Sequence, residues 1–153
     1  MNTKYNTKIQ SSNRDATAVS SRIFSRVLQA TQPHINLFSI DPQQHIAQGI
    51  MTTRTGVGYS IILFFNDTKK LLGFVVRFEL SEQQARDRLH SLLRSQNSTA
   101  GLSRITFDTE CQTLQIQSFS VLPNGNTAPV VVNAVLQDLR HVLESEELFG
   151  LLN

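Results

Sequence analysis

The chain has one cysteine, no tryptophan, four prolines and two methionines. A lone Cys111 excludes an intramolecular disulfide and any zinc site built on cysteine pairs. No segment approaches the ~20 apolar residues of a membrane span, and the first thirty residues lack the apolar run of a secretory signal. The densest stretch, Ile61-Ile62-Leu63-Phe64-Phe65, is only strand-sized. These absences lead us to expect a cytoplasmic protein that makes no use of a membrane. Charge is also scarce, at 17% of residues, with 14 Lys and Arg against 12 Asp and Glu. Only the leading thirty residues are lopsided: Lys4, Lys8, Arg14, Arg22 and Arg26 face Asp15 alone. Such an arm attracts phosphate or anionic lipid. Its aromatics are limited to Tyr5 and Phe24, so it has no stacking platform for single-stranded nucleic acid. The expectation is a solvated terminus, with nucleic-acid binding through residues 1–30 as the alternative.

What is present is a 153-residue chain with 40% apolar residues. A chain of about 150 residues buries roughly 68–70% of its unfolded surface, so no metal is needed to hold it together. Residues 1–13 are polar and read as a flexible basic arm; residues 14–153 read as a single α+β domain. Asp15 is placed to cap a helix running to about Thr31, with Val19, Ile23 and Val27 as its stripe and Phe24 and Leu28 beside it. Pro33 stops that helix. An extended segment follows over 34–40, then a turn at Asp41-Pro42 and a weak strand to Thr53. Thr55-Gly56-Val57-Gly58 is hairpin chemistry. Tyr59 to Phe65 is apolar on both faces, while Leu72, Phe74, Val76, Phe78 and Leu80 alternate with Arg77 and Glu79.

Ser81 and Gln84 fit a capping box for a second helix, whose stripe is Ala85, Leu89, Leu92 and Leu93. Arg86, Arg88 and Arg94, with Glu82, give it a wet face. After Asn97–Gly101, the segments Arg104–Phe107 and Gln112–Val121 form a second hairpin around Asp108–Cys111. Pro123–Asn126 is a loop, and Thr127 is placed to cap a last helix. That helix carries Val132, Val135, Leu136, Leu139, Val142 and Leu143, and Glu144, Glu146 and Glu147 read as its acidic, fraying end. Grouped strands with tight links exclude a parallel nucleotide-binding sheet. The order α-β-β-β-α-β-β-α predicts an antiparallel sheet of five to six strands packed by helices.

No pattern carries catalysis. His34, His45, His90 and His141 form none of the spacings that place two imidazoles on one metal. His141 and Asp138, three apart, read as a surface contact. Gly56-Val57-Gly58 precedes a strand rather than a helix and lacks the lysine of a phosphate loop. No Gly-x-Ser-x-Gly elbow occurs. Cys111, in a turn beside Glu110, has poor surroundings for a nucleophile. We therefore expect no enzyme, no cofactor and no metal. What stands out is apolar surplus. Ile62 and Phe64 on one strand, with Leu71 and Val75 on the next, lie on the face that such a sheet normally leaves polar. A helix or the 34–40 segment would cover them, or a partner chain would. The closing Leu148, Phe149, Leu151 and Leu152 either fold back onto the body or dock on another subunit. These eight residues are the candidate interface of a homodimer or of a complex with another protein. The alternative is a small-molecule-binding domain or enzyme whose site joins distant residues such as His45, Arg54, Tyr59 and Arg77.

The element order, with Leu92-Leu93-Arg94-Ser95-Gln96-Asn97, Ile105-Thr106-Phe107-Asp108, Leu114-Gln115-Ile116, Val121-Leu122-Pro123 and the last helix from Thr127, resembles the YbjN-like proteins and the related type III secretion chaperones. The likeness spans roughly residues 15–147. It implies a small, non-enzymatic, usually dimeric protein. The secretion chaperones bind extended effector segments on apolar patches, and many YbjN-like members, cyanobacterial ones included, have no assigned activity. The chaperones are typically acidic, whereas this chain carries +2, which points to the YbjN-like branch. The resemblance supplies no catalytic residue.

Overall fold

The computed structural model describes residues 22–97 and 101–152, without the side chains of 84–87 and 95–97. A first helix, α1, occupies 22–31. Four strands follow: β1 (Ile35–Asp41), β2 (Ile46–Thr52), β3 (Gly58–Asn66) and β4 (Leu71–Glu79). Then come α2 (Glu82–Asn97), β5 (Ser103–Asp108), β6 (Thr113–Val121), a 3-10 turn at Gly125–Thr127, α3 (Ala128–Leu143) and α4 (Glu146–Leu152). All strands pair antiparallel in one six-stranded sheet, ordered β1-β2-β3-β4-β6-β5. The α+β class and the antiparallel sheet are as the sequence predicts. Its first run has four strands rather than three, because the 34–40 segment joins the sheet as the edge strand β1. That segment is therefore not a cover for either face. The expected arm (1–13), the cap at Asp15 and Val19 lie outside the described residues, as do the side chains of Gln84, Ala85 and Arg86.

Register explains which side chains are inside. Ile61 opposes Val76, Leu63 opposes Phe74 and Phe65 opposes Leu72, all six buried on one face. The same face continues through Ala47 and Met51 of β2, Leu114 and Ile116 of β6, and Ile105 of β5. Alternation with period two puts one face's residues under the helices and the other's outside. The helices supply Ile23, Phe24 and Val27 from α1, Leu89 and Leu92 from α2, and Val132, Val135, Leu136 and Leu139 from α3 to this single core. Small residues let α3 approach the sheet. Ser103 and Ser118 are paired and buried, and Asp138 Oδ2 accepts the Ser103 N–H at 2.7 Å. Asp138 is thus a strand anchor and not a partner of His141.

Tight turns fix the hairpins. Asp41 Oδ1 accepts the N–H groups of Gln43 and Gln44, and Asp108 Oδ1 accepts those of Glu110 and Cys111. Each of three strand-to-strand turns ends on a non-glycine residue at positive φ: His45 at 55°, Lys70 at 52° and Gln112 at 51°. The Thr55–Gly58 connection instead uses Gly56 at 86°.

Two expectations about the C-terminal region are corrected. Thr127 occupies the N-cap position of α3 but makes no capping bond; its hydroxyl donates to the Asn124 carbonyl at 3.0 Å. Asn124 instead caps the 3-10 turn that leads into α3, its Oδ1 accepting from Asn126 and Thr127 N–H. The last helix is also two helices. The chain breaks after Leu143, and Ser145 Oγ accepts the Leu148 N–H at 3.3 Å at the start of α4. Glu146 and Glu147 therefore lie in a first turn, where the helix dipole favours negative charge. They are not the frayed end of α3.

Candidate functional site

The sheet face turned away from the helices has no layer over it among the described residues. It is the feature richest in unexplained apolar surface. Four predicted residues converge there: Ile62 opposes Val75, Phe64 opposes Gly73, and Leu71 opposes Asn66. Val75 is only 8% exposed yet stands outside the helix-covered core, shielded by its neighbours on this face. Three residues missing from the expectation complete the patch. Ile46 opposes Phe64 across β2, Phe119 opposes Gly73 across β6, and Val121, 60% exposed, opposes Leu71. The rings of Phe64 and Phe119 meet edge-on at 5.6 Å between centroids. Gly73 makes this possible. A Cβ there would run into the Phe64 ring and come within 2.8 Å of Phe119 Cδ1.

The sequence does carry a signal for the missed residues. In β6 the bulky apolar residues shift from even positions (Leu114, Ile116) to odd ones (Phe119, Val121), with Ser118 and Ser120 keeping the core parity. A strand whose apolar residues change face midway serves two surfaces. Beside the patch the same face turns polar. Arg77 Nε donates to Gln115 Oε1 at 3.0 Å, and Gln115 Nε2 donates to Gln117 Oε1 at 2.7 Å. The patch itself carries no charge. Its chemistry is that of a contact surface, with no group to attack, protonate or ligate.

The closing segment divides. Leu148 and Leu151 are buried in the core, Leu152 is half-buried, and Phe149 stands 65% exposed on the other side of α4. Leu148 and Leu151 are thus corrected from interface candidates to core residues: one turn apart, they lie on the inward side of α4. Arg88 fastens this helix by donating to the Gly150 carbonyl at 2.7 Å, so it is not merely a wet-face residue.

The distant residues of the small-molecule alternative do not meet. His45 lies at one end of β2, its ring 5.1 Å from Phe24 and 6.1 Å from Phe65. Arg54 and Tyr59 flank the hairpin at the other end. Arg77 points to the opposite face from Tyr59, whose ring packs edge-on against Phe78 at 5.4 Å. Burial, and secondarily the charge of Glu144, push the Tyr59 hydroxyl above its ordinary pKa of 10.0. Among the described residues no three His, Cys, Asp or Glu cluster as a metal site would require. No described helix is long and apolar enough to cross a membrane.

No protein-family model matches the sequence, and neither does any curated protein. Among solved structures, the fold is similar to a chain of the HopA1–SchA chaperone–effector complex. The two share 13% identity at a TM-score of 0.46, with 82% of this chain and 97% of that chain covered.

Proposed function

We propose that this chain is a non-catalytic, chaperone-like protein-binding module that acts as a homodimer, docking a second copy on the open sheet face. The observation that carries this reading is the uncharged cluster of Ile46, Ile62, Phe64, Leu71, Val75, Phe119 and Val121 on a face that no helix among the described residues covers. Exposed apolar surface of this extent costs free energy in water and is relieved by association. The size supports a second copy. Six strands about 4.8 Å apart and up to roughly 30 Å long give a face on the order of 700 Å². That is close to the roughly 800 Å² each partner contributes to a standard interface. A face without charge at its centre meets its own copy without repulsion, as an isologous contact requires. We place the module in the cytoplasm, on the strength of its single thiol, with residues 14–153 as its one domain.

Light scattering coupled to size exclusion tests this on the full chain. The expected result is a dimer at micromolar concentration that Phe64→Glu and Val121→Glu each convert to a folded monomer. Burying an unpaired carboxylate in such an interface costs about 2–4 kcal/mol, or roughly 30- to 1,000-fold in affinity. A wild-type monomer at high micromolar concentration overturns the reading. So does a dimer that both variants leave intact.

A further inference from the structure

The loop that carries the chain from β6 into α3 holds Asn124-Gly125, the one asparagine–glycine pair in the sequence. The fold explains both residues. Asn124 is exposed and its backbone is extended, at φ −151° and ψ 163°, so its side chain reaches forward along the chain. Its Oδ1 accepts the N–H groups of Asn126 at 3.0 Å and Thr127 at 3.2 Å. Position 125 has no room for a side chain, since a Cβ there would come within 2.7 Å of Arg26 Cδ. Arg26 reaches across from α1, and its Nη1 donates to Asn126 Oδ1, clamping the turn.

We infer that Asn124-Gly125 is a site of spontaneous deamidation and that the cap is its lock. The side-chain amide carbon of an asparagine is open to attack by the nitrogen of the next residue, and a glycine leaves that nitrogen unshielded. Attack by Gly125 N on Asn124 Cγ closes a five-membered succinimide. The Cγ–Nδ2 bond breaks, the Gly125 amide proton goes to the leaving nitrogen, and ammonia departs. Water then opens the ring at Cγ to give aspartate, or at the backbone carbonyl to give isoaspartate. Nothing besides water is consumed. While two N–H groups hold Oδ1 and Arg26 holds the turn, the Asn124 side chain is directed at residues 126 and 127, away from ring closure. The reaction therefore waits for a local opening of the kind that helix ends undergo. Its two products differ in consequence. Aspartate keeps an acceptor for the cap and adds negative charge at the start of α3, where the helix dipole favours it. Isoaspartate routes the backbone through the side chain, and the cap is lost.

Peptide mapping by mass spectrometry of the full chain, incubated in mildly alkaline buffer with and without concentrated urea, is the test. In urea, Asn124 should convert ahead of every other asparagine. In native buffer it should convert more slowly by roughly fivefold or more, the factor a side-chain cap contributes. Arg26→Ala should raise the native rate roughly two- to tenfold, the worth of one hydrogen bond, and leave the rate in urea unchanged. Ser145→Ala, which weakens the fold elsewhere, should leave both rates unchanged, so that loosening of this turn is told apart from general instability. Another asparagine converting first in urea overturns the inference. So does a native rate equal to that in urea, an unmoved native rate in Arg26→Ala, or an equal acceleration by Ser145→Ala. Should Arg26→Ala fail to fold, Asn126→Ala takes its place, since it removes the acceptor of the clamp and keeps both N–H donors.

Discussion

Gly73 shows how much one missing carbon can organise. Its bare Cα lets two phenylalanine rings from the flanking strands close over the sheet. Gly73→Ala forces the rings apart, at an expected cost of about 1–2 kcal/mol in urea-unfolding free energy from overpacking and the lost edge-on contact. Tyr59 offers a second test. Its folded-state pKa is raised, by burial first and by Glu144 second, so the native state holds the phenol proton longer than the unfolded chain does. The resulting stabilisation is complete below the ordinary tyrosine range and is lost as pH climbs through the raised value. Denaturant midpoints should therefore fall on the alkaline side, and Tyr59→Phe should flatten that fall. Spectroscopic titration of the phenolate should show Glu144→Gln bringing the Tyr59 midpoint down. Individual positions differ in how legible they are. Ile62, Phe64, Leu71 and Val75 announce their shared face through alternation. Gly73 announces nothing, because a glycine in a strand looks like any other until the register carries Phe64 and Phe119 up against it.

Elements with strong periodicity were readable, and the exception is instructive. Alternation over Leu72–Leu80 and the turn chemistry at Asp41, Asn66 and Asp108 define the hairpins without knowledge of the partners. The break between α3 and α4 was concealed because apolar residues continue beyond Leu143 to Leu148 and Leu151. The overlooked sign was Ser145 followed by Glu146 and Glu147, a start signal for a helix rather than an acidic end to one. Leu148→Ala should cost about 2–5 kcal/mol, as the loss of a fully buried leucine does. Ser145→Ala should cost about 1 kcal/mol through the lost cap. Both are read from urea denaturation, and a negligible effect of Leu148→Ala would contradict the docking of α4 on the body.

Taken together, the described residues form a sheet with helices on one side. Covering both faces takes more helical surface than the described chain brings to it, and the alternation of β3 and β4 already discloses that the second face is greasy. What alternation could not disclose was that β1 would lie at the edge of the same sheet rather than across it. That outcome rests on hydrogen bonding of Ile35–Asp41 to β2, a pairing set by backbone and not by side-chain pattern. If apolar contact drives self-association, the dissociation constant should change little between about 0.05 and 0.5 M salt. An association driven by the basic leading residues would weaken steeply over the same range. Sedimentation at several salt concentrations separates the two.

The positive backbone angles of Lys70 and Gln112 hold an unspent reserve. An L-residue in the left-handed region costs roughly 1–2 kcal/mol that glycine avoids, offset in part by the greater freedom glycine has when unfolded. The Gln112 carbonyl accepts the Leu80 N–H at 2.9 Å, a backbone bond that survives any side-chain change. Gln112→Gly should therefore raise the melting temperature. An engineer wanting a hardier version of this protein would begin at its bends, leaving the interior untouched.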